Sequence, residues 1–204
     1  MRPSLVLALV AALSVSTGVA FAATKPLPLS DRVIKQGDFA GYRPESTTQS
    51  IASAKAWVAG GPHVPAAQSS ADVARLQRQG FVAVLIEFLD RGAARQDGLS
   101  WVMQLGSAAS ARAELNVDVS ENKSETTAGG GSFSLFSVPA IPGAEGYRVS
   151  GGGSVGENIF FADGPFLYLI GQGWPSGEKN SPTRAGLIAA ATNLYRRVHG
   201  HPAG

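Results

Sequence analysis

The chain contains no cysteine. Disulfides, thiolate metal sites and lipid attachment through a cysteine are therefore all excluded. Histidine occurs three times in 204 residues, at positions 63, 199 and 201, which leaves little material for an imidazole metal site. Charge of one sign is also lacking: Lys+Arg number 17 against Asp+Glu 15, a formal +2. Without Arg2 the excess falls to about +1, so no strong pull toward nucleic acid is expected. Beyond the first residues no apolar run approaches the roughly 20 needed to span a bilayer. The longest, around Phe81 to Leu89 and Phe166 to Ile170, are strand-sized. What remains is 44% hydrophobic with 25 glycines and 12 prolines, the composition of one globular domain.

The N-terminus reads as an export signal. Arg2 is a minimal positive region, Leu5 to Leu13 an apolar core, and Ala20-Phe21-Ala22 a small-x-small cleavage pattern. Cleavage is expected after Ala22, leaving residues 23–204 as a secreted, extracytoplasmic α+β domain with an irregular N-terminal arm to Pro44. The arm carries one helical turn near Ser30 to Ile34.

Hydrophobic periodicity predicts the following order. A helix runs from Gln49 to Val58 and a second from Ser70 to Gly80, where a left-handed cap is expected. Phe81 to Asp90 is a central strand, Asp97-Gly98 a turn, and Leu99 to Leu105 a second strand. Ser107 caps a third helix to Val119. Ser120 to Ser132 has no large apolar residue and is expected to be a mobile loop. Four strands follow (Phe133 to Val138, Tyr147 to Ser150, Asn158 to Asp163, Phe166 to Gly173), the last two joined at Asp163-Gly164. A final helix starts at Ser181-Pro182 and ends at Gly200. Consecutive strands with tight turns give a largely antiparallel sheet of about six strands. Because several strands are apolar on both sides, helices are expected on both faces, an α-β-α sandwich.

Candidate chemistry is sparse. Gly152-Gly153-Ser154-Val155-Gly156 matches G-x-S-x-G, but a nucleophile elbow needs a helix after the serine, and Glu157 to Phe161 reads as a strand. The overlapping G-x-G-x-x-G of Gly151 to Gly156 lacks the same helix. His199-Gly200-His201 supplies at most two metal ligands, short of a structural zinc site, so no metal and no cofactor is expected. Glu87 lies within an apolar strand, where it is either a proton-transfer group or a charge at an exposed position. Asn122-Lys123-Ser124 is a formal glycosylation sequon. Arg184, Arg196, Arg197 and His199 make the last helix basic toward its end, which complements the helix dipole or contacts an anionic surface.

The aromatic row is the most suggestive feature. Phe166, Tyr168, Ile170, Gln172 and Trp174 project from one side of the last strand, and Trp101 and Met103 of a neighbouring strand are expected to join them. Such a wall lines either an apolar-ligand pocket or a filled core. The candidate ligand-binding residues are therefore Trp101, Met103, Phe166, Tyr168, Trp174 and Glu87.

Phe136 to Ala144 (FSVPAIPGA), Asn158 to Gly164 (NIFFADG) and the strand Phe166 to Gly171 together resemble exported, sensor-like proteins and lipoproteins of high-GC Gram-positive bacteria. The order of elements is similar to the PsbP/Mog1-like sandwich. The resemblance implies no catalytic residues, and the chain departs from it in lacking a lipid-attachment cysteine. The leading expectation is a secreted, non-catalytic binding domain for a small amphipathic or lipid-like ligand or a cell-envelope component. The alternatives are a secreted hydrolase using Ser154 or Glu87 and a protein-interaction module.

Overall fold

The computed structural model describes residues 25–60, 69–92 and 96–202. The export signal, its cleavage site and His63 lie outside the described residues.

Seven strands form one sheet in the order β1-β2-β3-β7-β6-β5-β4, with every neighbouring pair antiparallel. They are β1 (Arg43–Ile51), β2 (Ala83–Asp90), β3 (Asp97–Gln104), β4 (Ser132–Phe136), β5 (Glu145–Gly151), β6 (Ser154–Asp163) and β7 (Phe166–Pro175). Helices α1 (Ala54–Gly60), α2 (Ser69–Arg78) and α3 (Ala108–Ala128) cover one face, and α4 (Arg184–Val198) with the N-terminal arm covers the other. The fold is α+β, with helices on both sides of an antiparallel sheet, as the two-sided apolar strands imply.

The sheet has one strand more than the periodicity predicts, because β1 occupies the end of the expected arm and the expected helix start. Its sequence, RPESTTQSI, has Ile51 as its one large apolar side chain, because an edge strand exposes most of its residues. The helix expected from Gln49 begins instead at Ala54, where Ser53 Oγ accepts from the Ala56 amide at 3.2 Å. Asp97 and Gly98, expected as a turn, are the first residues of β3, opposite Asp90 and Leu89. The last helix starts at Arg184 under a Thr183 cap, two residues after the expected Pro182. Its stripe of Leu187, Ala191, Leu194 and Val198 is buried as the spacing predicts.

The largest correction is α3. Ser107 caps it by accepting from the Ser110 amide, but it continues through the expected loop to Ala128. Gly129-Gly130-Gly131 stops it: the Gly131 amide bonds to Thr126 O at 2.8 Å and the Gly130 amide to Thr127 O at 3.1 Å. Gly130, at φ 74°, supplies the left-handed residue of this Schellman closure. The extra turns are held by polar rather than apolar contacts, which is why hydrophobic patterning missed them.

Two cores result. Under α4 lie Ile159, Phe161, Phe166, Tyr168 and Ile170; under α1, α2 and α3 lie Ile86, Trp101, Met103, Tyr147, Phe160, Leu167 and Leu169. Every residue of β7 from Phe166 to Gln172 is buried. Each large apolar side chain removed from water there contributes about 1.5–3 kcal/mol.

Candidate functional site

The site is built on the face covered by α3. Helical spacing places Glu114, Asp118, Glu121, Asn122 and Glu125 along one side of that helix. That side meets α2, where Asp72 and Arg75 are one turn apart. Arg75 holds the cluster together. It donates from Nη1 to Asp72 Oδ1 at 2.7 Å and Glu121 Oε1 at 3.1 Å, and to both oxygens of Glu114 at 3.1 Å. Asp72 and Glu114 are buried, so one guanidinium answers three carboxylates and none of its bonds reaches Asp118. Burial drives the Asp118 carboxyl well above the usual aspartate range, and Glu114 and Glu121 push it the same way against a weaker pull from Arg75. Burial also raises Glu121, with Arg75 opposing.

Aromatic side chains of the sheet and α1 close the space beneath these acids. Trp57 meets Trp101 edge-on at 5.6 Å, Trp101 meets Phe160 edge-on at 5.6 Å, and Phe160 stacks on Tyr147 at 6.0 Å. Between them and the acidic side of α3 is a narrow, partly open chamber of about 40 Å³. Trp101 is 3% exposed, and among the described residues its indole N–H finds no acceptor. The Tyr147 hydroxyl is held protonated by burial, with Asp118 and Glu125 adding to the effect.

Beside the chamber the same face opens into a cleft of about 440 Å³. Gly156, Gly171 and Gly173 line it, the first two beneath the side chains of Val149 and Asn158; its walls include Phe88, Leu99 and Val149, and its polar groups include Asn158, Thr126 and Asp97. Asn122 lines both spaces. Glycine matters most at 173: a Cβ there would meet nothing nearer than Val155 O at 3.8 Å, so any larger side chain would enter the cleft. Among the described residues the two spaces are bordered by seven carboxylates, Glu45, Asp72, Asp97, Glu114, Asp118, Glu121 and Glu125, against Arg75. In a chain of formal charge +2 this is a strong local concentration of negative charge.

The structure divides the residues expected to bind ligand. Trp101 lines the chamber; Met103, on the same face, is packed in the core beside it. Phe166 and Tyr168 are on the opposite face, because Trp101 pairs with Leu169 and Val102 with Tyr168. The expected single aromatic wall is therefore two, separated by the sheet. Phe166 lies under the Arg32 guanidinium at 3.8 Å, and Tyr168 accepts from Arg32 Nη1 at 2.9 Å. Burial raises the Tyr168 hydroxyl to about 12. Trp174 also faces α4, 5.4 Å from the Arg148 guanidinium. Glu87 is buried on that face too, accepting from Thr48 Oγ1 at 2.8 Å, not exposed.

Other motifs resolve into structure. Ser154 opens β6 after a two-residue turn, Gly152-Gly153, with both φ positive (56° and 79°). A strand enters and a strand leaves, so there is no nucleophile elbow. His199 pairs with Asp163 at 2.9 Å, but Asp163 ends the ten-residue β6 that Ser154 begins, roughly 30 Å away at about 3.3 Å per residue. Asn122 is half-buried and donates to Asp118 O at 2.8 Å, a poor sequon. Of the basic terminal group, Arg184 bonds to buried Glu157 at 2.7 Å, and Arg197 ties the arm by donating to Asp38 and to the carbonyls of Asp31 and Val33. Among the described residues no group of three or more His, Asp or Glu is placed to hold a metal ion, and no helix is long and apolar enough to cross a membrane.

No family model matches the chain, and no curated protein matches its sequence. Among solved structures it is similar to the extracellular domain of PknH from Mycobacterium tuberculosis, at 10% identity and a TM-score of 0.49, over 76% of this chain and 84% of that one.

The acids and Arg75 are not among the residues that the sequence pattern predicts to bind ligand. A signal existed: Glu114, Asp118, Glu121 and Glu125 recur at intervals of 4, 3 and 4 in line with buried Ala111 and Leu115, a polar continuation of the core stripe.

Proposed function

We propose that this chain is an exported binding domain that holds a small amphipathic molecule, free or as part of a cell-envelope component, in the cleft of the α3 face, without catalysis. The observation that carries the reading is the cleft: about 440 Å³, open above Gly173, walled by Phe88, Leu99 and Val149, and supplied with a few polar groups. Ligand pockets are commonly of this kind, roughly 300–1,000 Å³ and apolar with a small number of placed polar groups. Export rests on the N-terminal sequence, Arg2 through Ala22. The distance between Ser154 and the His199–Asp163 pair favours binding over hydrolysis. The resemblance to exported sensor-like proteins fits the same reading.

The test is a thermal-shift and tryptophan-emission titration with decanol, decanoate and decylammonium, on the wild type and Gly173→Phe. Gly173 has no positive φ, so the phenyl ring should fill the cleft while the fold survives. At least one probe should raise the wild-type melting temperature, and Gly173→Phe should weaken its binding at least tenfold. Equal binding by the variant would place the ligand elsewhere.

A further inference from the structure

The two edges of the sheet differ in a way that neither the cores nor the cleft requires. An edge strand presents a row of unpaired N–H and C=O groups, and folded proteins guard such rows with charge, proline, bulges or a covering segment. Strand β1 is guarded in three of these ways. It carries Arg43 and Glu45, Pro44 interrupts its donors, and its register with β2 shifts between Pro44 and Thr48. Strand β4, Ser-Phe-Ser-Leu-Phe, has neither charge nor proline, and it pairs with β5 without a register break. None of its five residues is buried. Among the described residues its backbone makes no backbone–backbone hydrogen bond outside the ladder with β5. Leu135, at its centre of exposure, is 65% exposed and is one of two large apolar side chains left so open among the described residues.

We propose that β4 pairs with β4 of a second copy of this chain, antiparallel about a two-fold axis at Ser134, so that two seven-stranded sheets become one. The register centred on Ser134 pairs all five residues of each strand. It sets Phe133 of each copy opposite Leu135 of the other, and Ser132 opposite Phe136. Phe133 and Leu135 alternate onto the α3 face, where Phe133 stacks on Tyr147 at 5.1 Å. Each open Leu135 thereby gains an aromatic neighbour, with Cβ atoms about 4.5–5.5 Å apart. No strand residue is charged, so no like charges meet across the junction. A second copy is the occupant because only that pairing closes. Laid on β1 of another copy, β4 would meet Arg43, Pro44 and Glu45, and repetition would build an open chain. Laid on β4, it covers the unguarded edge of both copies and leaves only the guarded ones free.

The axis stands perpendicular to the sheet, so both α3 faces, with both clefts, lie on the same side of the joined sheet. Val149 of the cleft wall is opposite Phe133, one strand from the junction. The pairing does not depend on what the cleft binds. Five residues a side fall short of the about 800 Å² per partner of a standard interface. The dimer is therefore weak, and its population rises with concentration.

The experiment is sedimentation equilibrium of the purified protein from about 1 μM to about 1 mM, on the wild type, Leu135→Lys and Val82→Lys. The wild type should move from monomer toward dimer and no further. Leu135→Lys should weaken the dimer at least tenfold, because each dimer holds the new charge twice. Val82→Lys alters the other exposed large apolar side chain and should change dimerisation less than twofold. Oxidative cross-linking reads the register, since the chain has no cysteine of its own. Ser134→Cys puts two sulfurs at the axis, with Cα atoms about 4.5–5.5 Å apart, within reach of a disulfide. Ser132→Cys puts them four residues out of register, roughly 13 Å along the strands. Ser134→Cys should cross-link at least tenfold faster than Ser132→Cys. A wild type that stays monomeric at the highest concentration overturns the proposal and leaves β4 to a strand of another protein. A dimer that Leu135→Lys does not weaken, equal cross-linking of the two cysteines, or growth beyond the dimer also overturns it.

Discussion

Arg75 and Glu114 meet side-on, Nε at 3.1 Å from Oε2 and Nη2 at 3.1 Å from Oε1. This paired geometry joins α2 to α3 across 39 residues of sequence and fixes the roof of the chamber. Charge-assisted pairs of this form are stronger and more directional than single ion pairs.

Replacing Arg75 by Met should therefore be costly, because it leaves Asp72, Glu114 and Glu121 together without their cation. Removing one partner of a buried pair costs about 3–5 kcal/mol, and partial exposure of Arg75 places the loss at the lower end. The stranded acids will have raised pKa values in the folded state, so the deficit should grow as pH rises. Urea unfolding at pH 5 and pH 8 checks this; an equal deficit at both would contradict it.

Asp118→Asn should do the opposite and stabilise the protein. The folded pKa of Asp118 is raised above the unfolded value, so its contribution is fully present below about pH 4 and is lost as pH rises through the folded value. Asparagine does not ionise. Melting curves from pH 4 to pH 8 should show the variant gaining on the wild type with rising pH. A constant difference, or a variant that loses ground, would show that Asp118 is not penalised.

Arg32 joins the two ends of the described chain. Fully buried, it donates to Leu27 O at 3.0 Å, Tyr168 Oη at 2.9 Å, His201 O at 2.7 Å and Pro202 O at 2.6 Å. Arg32→Met keeps much of the apolar contact with Phe166 and Pro202 O keeps the Leu27 amide, but Leu27 O, His201 O and Tyr168 Oη lose this donor, at about 1–3 kcal/mol for each group that water does not reach. Hydrogen exchange should accelerate in residues 27–34 and 198–202 while β5 and β6 stay protected. Uniform acceleration across the sheet would mean that Arg32 supports the whole fold rather than the termini.

Limited proteolysis distinguishes the long α3 from the loop that its sequence suggests. Backbone hydrogen bonds and the Gly129 to Gly131 closure should protect Ser120 to Ala128. Early cleavage inside that stretch would contradict the helix.

Much of the architecture was legible because burial writes itself into periodicity. The run Phe81 to Asp90, the hairpin at Asp163-Gly164 and the stripe Leu187, Ala191, Leu194 and Val198 all carry it. Where an element is held by polar contacts the pattern falls silent. Edge strand β1 and the second half of α3 were lost for that reason, and with α3 went Asp118, Glu121 and Glu125. The aromatic row failed differently. Alternation correctly put Phe166, Tyr168 and Trp174 on one side of β7, but which side Trp101 shares depends on cross-strand register, and Trp101 opposite Leu169 is a tertiary fact with no local signal.

The most direct measurement is a two-dimensional amide NMR titration of isotopically labelled protein with decylammonium. Binding in the α3-face cleft should shift the amides of Leu99, Asn122, Asn158, Gly171 and Gly173 and the indole N–H of Trp101, leaving those of α4 unmoved. Shifts concentrated instead on Leu187 to Val198 of α4 and on the Trp174 indole would place the ligand on the opposite face and contradict the account.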